Sequence, residues 1–220
     1  MLFRSIPKAQ YEAQALYVSL GNVIGKLSAS ELQDKGVLAQ CHVNIIQLQD
    51  HVEFTNYQSE LKHLLEDKNR LDTIAELVLK IKDSGNTLIL VDRVNAGKEI
   101  VDRLPNAVFV SGETKLTERK EEYDEVATAN DKIIVATYGV ASVGINIPRI
   151  FNLVLLEPGK SFVRVIQSIG RGIRKAEDKD HVMIWDITSS CKFAKRHLTQ
   201  RKSFYKEANY PFSIEKLNYK

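Results

Sequence analysis

The stretch "QSIGRGIRK", residues 167–175, places two arginines three positions apart behind a glycine. Arg171 and Arg174 share one face if this stretch is helical, because residues three apart are neighbours on a helix. A guanidinium stays charged when it is desolvated, and its planar fork meets phosphate oxygens with two hydrogen bonds. The spacing therefore predicts a site for a phosphate-bearing anion, with surface ion pairs to Glu177 or Asp178 as the alternative.

A second stretch, "TYGVASVGINIP", is rich in small and hydroxyl-bearing residues. Thr137 and Ser142 offer hydroxyls, Asn146 offers an amide, and Gly144 lets the backbone pass close to a ligand. Hydroxyls and backbone N–H groups bind nucleic-acid phosphates without reading the bases. The alternative is a tight loop that only packs under a sheet.

Two shorter loops carry similar chemistry. "DRVN" supplies Arg93 and a helix N-terminus near Asn95, and "SGET" supplies the hydroxyls of Ser111 and Thr114. Helix N-termini and hydroxyls both favour phosphate oxygens. Both loops would also be explained as ordinary helix caps.

The elements that must position these loops alternate regularly from Thr87 onwards. Short apolar runs ("TLILV", "AVFVS", "KIIVA", "FNLVLLE" and "HVMIWDI") are separated by helical stretches, with a polar loop of small residues after "KIIVA". Continuous apolar strands between helices indicate an α/β fold, a doubly wound and mainly parallel sheet flanked by helices. Such sheets bind ligands at the carboxyl ends of their strands, where each of these loops lies.

The flanking segments differ from this pattern. "CHVNIIQLQ" alternates like a strand, and the stretch from Tyr57 to Gly85 predicts one or two helices that end at the glycine. From Thr188 onwards there are eight Lys or Arg against two Glu, although the whole chain carries only +3. Because Phe193, Phe204 and Tyr205 are interleaved with these cations, the segment could follow a phosphate backbone, or it could be a solvated helix face.

Composition limits the remaining possibilities. The 220 residues are 44% hydrophobic and 27% charged, which is typical of a soluble globular protein. We expect a cytoplasmic protein without a membrane partner, because no apolar run is long enough for a signal or a span. Cys41 and Cys191 have no CxxC spacing, and the histidines show no ligand pattern, so we predict no metal site in this chain.

The stretch "GNVIGKLS" resembles a phosphate loop without meeting its requirements. Such a loop needs four residues between its glycines and a hydroxyl after the lysine, so that N–H groups surround the phosphates and the hydroxyl reaches Mg²⁺. Here Gly21 and Gly25 are too close together, and Leu27 replaces the hydroxyl. We therefore expect this chain to be unable to form a complete ATP site by itself.

In combination, "DRVNAGKEI", "TYGVASVGINIP" and "QSIGRGIRK" resemble motifs IV, V and VI of superfamily 2 helicases, in particular those of the phage UvsW type. "ALYVSLGNVIGKLSASELQDKGVLA" resembles the segment that joins the two lobes in that family. The resemblance covers about Ala15 to Ile187. It implies three segments: the end of a first lobe, the crossing segment and a first strand at 1–60, a RecA-like helicase C-terminal lobe at 61–190, and a basic helical tail at 191–220.

The resemblance also implies roles for the arginine stretch. Arg174 would be the arginine finger of ATP hydrolysis, and Arg171 would reach the phosphates beside it. Gln167 would tie this helix to the facing lobe, and Gly170 would allow the lobes to approach closely. Charge spread over the γ-phosphoryl oxygens in the transition state is stabilised by such arginines.

For motif V and the shorter loops, the resemblance implies two ligands. Gly144 and Asn146 would contact ATP. The nucleic-acid contacts would come from the other polar loop residues, namely Arg93, Ser111, Thr114, Thr137 and Ser142. Six residues separate Thr137 from Gly144, one more than in many relatives, which leaves the individual roles of Tyr138, Gly139 and Ser142 open.

The implied function is the C-terminal motor lobe of an ATP-dependent DNA helicase or translocase. Its partners would be single-stranded or branched DNA, with RNA not excluded, and a first lobe that supplies the phosphate loop and the Mg²⁺ ligands for ATP. The location would be the host cytoplasm if the protein is phage-encoded, and the chain alone would hydrolyse essentially no ATP. The alternative is a noncatalytic solitary lobe that binds nucleic acid or a partner. A flavodoxin-like enzyme is a weaker alternative, because no intact phosphate cradle follows any strand.

Overall fold

The computed structural model describes residues 40–114, 116–126, 128–142, 149–159 and 181–219, together with 14, 17 and 18. Within these ranges the strands form one seven-stranded sheet in the order β3-β4-β2-β5-β6-β1-β7. Every pair of neighbouring strands is parallel. The strands are β1 Gln40–Leu48, β2 Thr87–Val91, β3 Ala107–Val110, β4 Ile133–Thr137, β5 Asn152–Leu156, β6 His181–Ser189 and β7 Phe212–Leu217. The predicted doubly wound α/β sheet is confirmed.

Helices cover both faces of this sheet. They are α1 Tyr57–Glu66, α2 Lys68–Lys82, α3 Val94–Val101, α4 Leu116–Val126, α5 Tyr138–Ser142 and α6 Lys192–Glu207. On one face, Ile74 and Val78 of α2 and Ile100 of α3 pack against the strands. On the other face, Val126 of α4 and Leu198 of α6 close a second cluster. Two-sided burial explains why the central strands read as continuous apolar runs.

The helical region before β2 divides in two at Asp67. The Asn56 side chain accepts the Ser59 N–H at 2.9 Å and begins α1, and the Asp67 side chain accepts the Arg70 N–H at 2.9 Å and begins α2. Gly85 then ends the segment with a φ of 132° and lies against the Phe151 ring, where a Cβ would come within 2.7 Å. The helical prediction was right, and capping by short polar side chains decides that there are two helices.

Two local predictions were wrong. Residues 138–142, predicted as the start of a polar loop, form α5, whose Val140 N–H lies 3.4 Å from the Thr137 hydroxyl. The C-terminal segment, predicted as a helical tail, contributes α6 but also β7, which pairs with β1 from Val43↔Phe212 to Leu48↔Leu217. The side chains of β7 are mostly exposed and bury little apolar surface, so the hydrogen bonds to β1 are what stabilise this strand. The proposed segment boundaries stay predictions.

In the described part of the chain, no helix has the length and apolar character needed to cross a membrane.

Candidate nucleic-acid interface and buried ion network

Because all seven strands are parallel, their carboxyl ends meet at one edge of the sheet. Three of the predicted nucleic-acid residues lie at the carboxyl ends of the adjacent strands β3, β4 and β2. Thr137 is paired in register with Val91, two residues before Arg93, and Val110, one residue before Ser111, is paired with Ala136. Neighbouring strands lie about 4.8 Å apart, so the fold gathers these loops within one short stretch of edge. We call this stretch the β3-β4-β2 edge.

Arg93 is the exposed cation of this edge. It begins α3 as the N-cap, and no side chain caps the first turn of that helix. The Arg93 guanidinium donates one hydrogen bond to the Gln58 side chain at 3.0 Å. The partner of Arg93 is therefore neutral, and a guanidinium is well suited to bind phosphate oxygens.

Ser111 and Thr114 belong to one turn. The Ser111 N–H donates to the Thr114 hydroxyl at 3.0 Å, and the Glu113 N–H donates to the Ser111 hydroxyl at 3.2 Å. Ser111 is buried, whereas Gly112 and Glu113 are exposed. These bonds explain both side chains as turn residues, and a contact with nucleic acid stays a prediction for them.

Thr137 ends β4 at the start of α5, and the backbone of Ser142 ends that short helix. Tyr138, which directly follows Thr137, is buried, and its hydroxyl donates a hydrogen bond to the Leu156 carbonyl at 3.3 Å. Burial holds the pKa of the Tyr138 phenol well above its usual value, so it remains a neutral donor. This bond joins the end of β4 to the end of β5, which lies two strands away in the sheet.

The predicted ATP-facing residues lie outside the described residues: Gly144, Asn146, Gln167, Gly170, Arg171 and Arg174. Their roles stay predictions.

A buried ion network lies at the ends of β5, β6 and β1, beside the β3-β4-β2 edge. Arg70 of α2 is completely buried and donates to the Leu64 carbonyl at 2.8 Å and to the Glu157 carboxylate. Its Nε also lies 3.5 Å from a carboxylate oxygen of Asp50, which follows β1. One guanidinium thereby joins helix α2 to the ends of two strands.

A second buried arginine comes from the C-terminal helix. The Arg201 guanidinium makes two hydrogen bonds to Asp186 of β6, at 2.8 and 2.9 Å, and a third to the Pro158 carbonyl at 2.6 Å. The Tyr205 hydroxyl donates to the same Asp186 carboxylate at 2.8 Å. Helix α6 is therefore locked to the sheet and to the residues after β5.

Glu157 sits at the centre of this network. It has a φ of 44°, a left-handed conformation that non-glycine residues seldom adopt, and such strain persists only where the surroundings enforce it. Burial raises the pKa of the Glu157 carboxyl to about 7, although Arg70 and Arg201 act in the opposite direction. Asp50 and Asp186 raise it further. Three buried carboxyls lie around two guanidiniums, and the raised pKa of Glu157 is due first to its burial.

Sequence reasoning missed this network. A signal was present: Arg70 lies on the apolar face of α2 with Ile74 and Val78, and Arg201 lies on the apolar face of α6 between Leu198 and Tyr205. A cation on an apolar helix face predicts a buried partner, because an unpaired buried charge is costly. No group of three possible metal ligands occurs within the described residues.

Comparisons with known proteins agree with this fold. Residues 69–176 match the model of the helicase conserved C-terminal domain. The ATP-dependent DNA helicase uvsW of Enterobacteria phage T4 is 30% identical over 201 residues, which are 86% of this chain and 40% of the relative.

Solved structures give the same picture of the fold. The crystal structure of T4 UvsW superposes with a TM-score of 0.70 at 24% identity, covering 81% of this chain and 42% of that one. S. cerevisiae Dbp5 bound to RNA and ADP BeF3 superposes with a TM-score of 0.63 at 17% identity, covering 97% of this chain and 50% of that one.

The parallel sheet with helices on both faces is thus the RecA-like architecture of helicase C-terminal domains. The chain belongs to the helicase conserved C-terminal family of superfamily 2, and it is similar to T4 UvsW. It spans 40% of the length of that curated relative.

Proposed function

We propose that this chain is the second motor lobe of an ATP-dependent DNA helicase or translocase that unwinds or remodels branched DNA. The observation that carries the proposal is the β3-β4-β2 edge, where Arg93, Ser111 and Thr137 lie at the carboxyl ends of three adjacent parallel strands. Phosphate contacts of this kind hold a strand in register without selecting its sequence, which suits a protein that moves along it.

ATP would lie between this lobe and a first lobe, which would hold Mg²⁺ and the phosphate loop. Gly144 and Asn146 would contact the nucleotide from this side, and Arg171 and Arg174 would approach its phosphates when the lobes close. Closure on ATP and opening after hydrolysis would couple turnover to a step along the strand. The kinship with a phage DNA helicase supports DNA, whereas Dbp5 was solved with RNA, so both polymers belong in the test.

The buried ion network supports the same proposal. Glu157 and Pro158, which immediately precede the segment that carries Gln167, Arg171 and Arg174, are each held by a buried arginine. A finger residue contributes fully only if its geometry is set before the reaction, since misplacement of about 1 Å costs up to 10²-fold in rate.

The test is the ATPase activity of the complete protein with both lobes, before and after Arg174→Ala. We expect hydrolysis to fall by about 10³- to 10⁵-fold while ATP still binds, because a finger acts on the transition state. Lys80→Ala, on the exposed side of α2, is the control and should leave turnover unchanged. We expect the 220-residue chain alone to show essentially no turnover.

The noncatalytic alternative makes the opposite prediction. If the Arg174→Ala protein hydrolyses ATP normally, the finger role is wrong. If the unmodified complete protein hydrolyses no ATP but still binds nucleic acid, the lobe is a noncatalytic binding module. Robust hydrolysis by the 220-residue chain would contradict the shared site itself.

A further inference from the structure

Helix α6 has one face whose direction is fixed by buried contacts. Ala194, His197, Leu198, Arg201 and Tyr205 are the buried residues of this helix, and two of them bond Asp186. The only buried cation of α6, Arg201, is therefore neutralised within the fold. The opposite face points to solvent.

The outward face of α6 is basic near both ends of the helix. It carries three cations in the first five residues and two in the last six, and all are exposed except the half-buried Lys202. They are Lys192, Lys195, Arg196, Lys202 and Lys206, which we call the α6 stripe. Among the described residues none of them forms an ion pair, whereas Lys62, Arg103 and Lys132 do pair with carboxylates.

The two stripe cations in the first turn of α6 are electrostatically unfavourable for the helix. Lys192 and Lys195 lie at the positive end of the α6 dipole, and no acidic residue lies in that turn. Cations there are unfavourable, because they lie beside the unpaired N–H groups at the positive end of the helix dipole. Glu60 of α1 offsets part of this cost by accepting the Phe193 and Ala194 N–H groups at 3.0 and 2.7 Å. An external polyanion would offset the rest.

The aromatic residues of α6 are not available for stacking on bases. Phe193 packs edge-on against Tyr57, Phe204 packs against Tyr210, and Tyr205 is buried. Proteins that hold single strands without sequence preference combine cations with exposed aromatic platforms. The stripe therefore offers charge without an exposed aromatic platform.

We infer that the α6 stripe binds the phosphate backbone of double-stranded nucleic acid, independently of sequence. From Lys192 to Lys206 it extends about 21 Å at 1.5 Å per residue. That length corresponds to about six base-pair steps of a duplex, at about 3.4 Å of axial rise per step. A duplex keeps its phosphate backbone rigid over such a length, and its bases are already stacked, so they need no aromatic partner.

The stripe begins near the β3-β4-β2 edge. Helix α6 starts at the carboxyl end of β6, which is two strands from β2, or about 10 Å. Lys192 and Lys195 also line an open groove of about 830 Å³ at this end, together with residues 49–54. The stripe is thus placed to hold duplex beside a strand that runs along the edge. The placement of the duplex beside a strand on the edge rests on the proposed function, whereas duplex binding by the stripe does not.

The test compares two matched variants of the 220-residue chain. Lys202→Gln with Lys206→Gln removes two stripe charges near the end of α6, and Lys80→Gln with Lys82→Gln removes two charges from the last turn of α2 on the other face of the sheet. Each pair has one exposed and one half-buried lysine near a helix C-terminus. Binding to a short blunt DNA duplex, an RNA duplex and an oligothymidylate strand is measured across a salt series, and thermal unfolding checks that both variants fold.

For the stripe variant we expect the slope of log affinity against log salt on duplex DNA to fall by about 1.8, or 0.9 per lost phosphate contact. The α2 variant should keep the parent slope, and neither variant should change binding to oligothymidylate. An equal loss on RNA duplex would show that the backbone alone is recognised, and a loss on DNA duplex alone would show that helix shape matters too; either supports the inference.

Three outcomes would overturn it: equal losses in both variants, a loss confined to the single strand, or no change in duplex binding. The last would reassign the stripe to an acidic protein surface. Because this experiment involves neither ATP nor Arg93, failure of the stripe and failure of the proposed motor function are distinguishable.

Discussion

Helix α6 carries arginines of two kinds, and their difference separates structure from ligand binding. Arg201 is 3% exposed and makes three hydrogen bonds inside the fold, whereas Arg196, five residues earlier, is exposed and forms no ion pair among the described residues. The two residues are of the same type and lie in the same basic segment. Arg201, which is neutralised by Asp186, stabilises the fold, whereas the exposed Arg196 is available to bind a phosphate.

The same contrast divides the carboxyl edge of the sheet. At the ends of β5, β6 and β1, buried arginines face buried carboxylates. At the β3-β4-β2 edge, Arg93 is exposed beside the neutral Gln58. One half of the edge is held by buried ion pairs, and the other half exposes a cation, which is the arrangement that the proposed motor function requires.

The largest expected effect is on Arg201. Arg201→Ala leaves the Asp186 carboxylate and the Pro158 carbonyl buried without their main donor, so we expect a loss of about 3–5 kcal/mol in the free energy of unfolding by urea. Arg196→Ala on the same helix is the control and should stay within about 0.5 kcal/mol of the parent. If the two variants lose equal free energy of unfolding, the buried arginine has no special structural role and the comparison is wrong.

The next effect concerns the charge surplus around Glu157, whose folded pKa of about 7 lies above its ordinary value of 4.5. The folded protein then binds a proton that the unfolded chain releases, so this group stabilises the fold below about pH 4.5 and loses that contribution as pH rises to about 7. Relative to Glu157→Gln, which titrates nowhere in this window, the parent should lose about 1.4 kcal/mol per pH unit at most.

Urea unfolding of both proteins from pH 5 to pH 7 measures this difference directly. A stability difference that does not change with pH would mean that Glu157 remains ionised between Arg70 and Arg201, and the three-to-two count of charges would have to be revised.

The smallest expected effect on stability is at Arg93. Arg93→Gln should change the free energy of unfolding by less than about 0.5 kcal/mol, because the residue is exposed. If the proposed function is right, it should reduce the salt slope for binding to a single strand by about 0.7, corresponding to one phosphate. Gln58→Ala removes the partner of Arg93 without removing charge, and it should leave that slope unchanged. A normal slope for Arg93→Gln would remove Arg93 from the interface.

Much of this protein could be predicted from its sequence. Continuous apolar runs such as "TLILV" and "KIIVA" require burial on both faces, and that requirement alone predicts a parallel sheet covered by helices. Since ligands meet such sheets at the carboxyl ends of the strands, the positions of Arg93, Ser111 and Thr137 in the sequence also predicted their common edge. The resemblance of three stretches to superfamily 2 helicase motifs predicted the helicase family, which the comparisons support.

Only the tertiary structure decided which cations are partnered. Arg70 and Glu157 are far apart in the chain, as are Glu60 and the first turn of α6, and their pairing depends on how helices pack on the sheet. Likewise β7, whose side chains are mostly exposed, exists because β1 offers it a backbone edge. Apolar burial repeats with the period of each element and is therefore visible locally, whereas a buried ion pair is defined by two distant residues whose meeting only the assembled fold fixes.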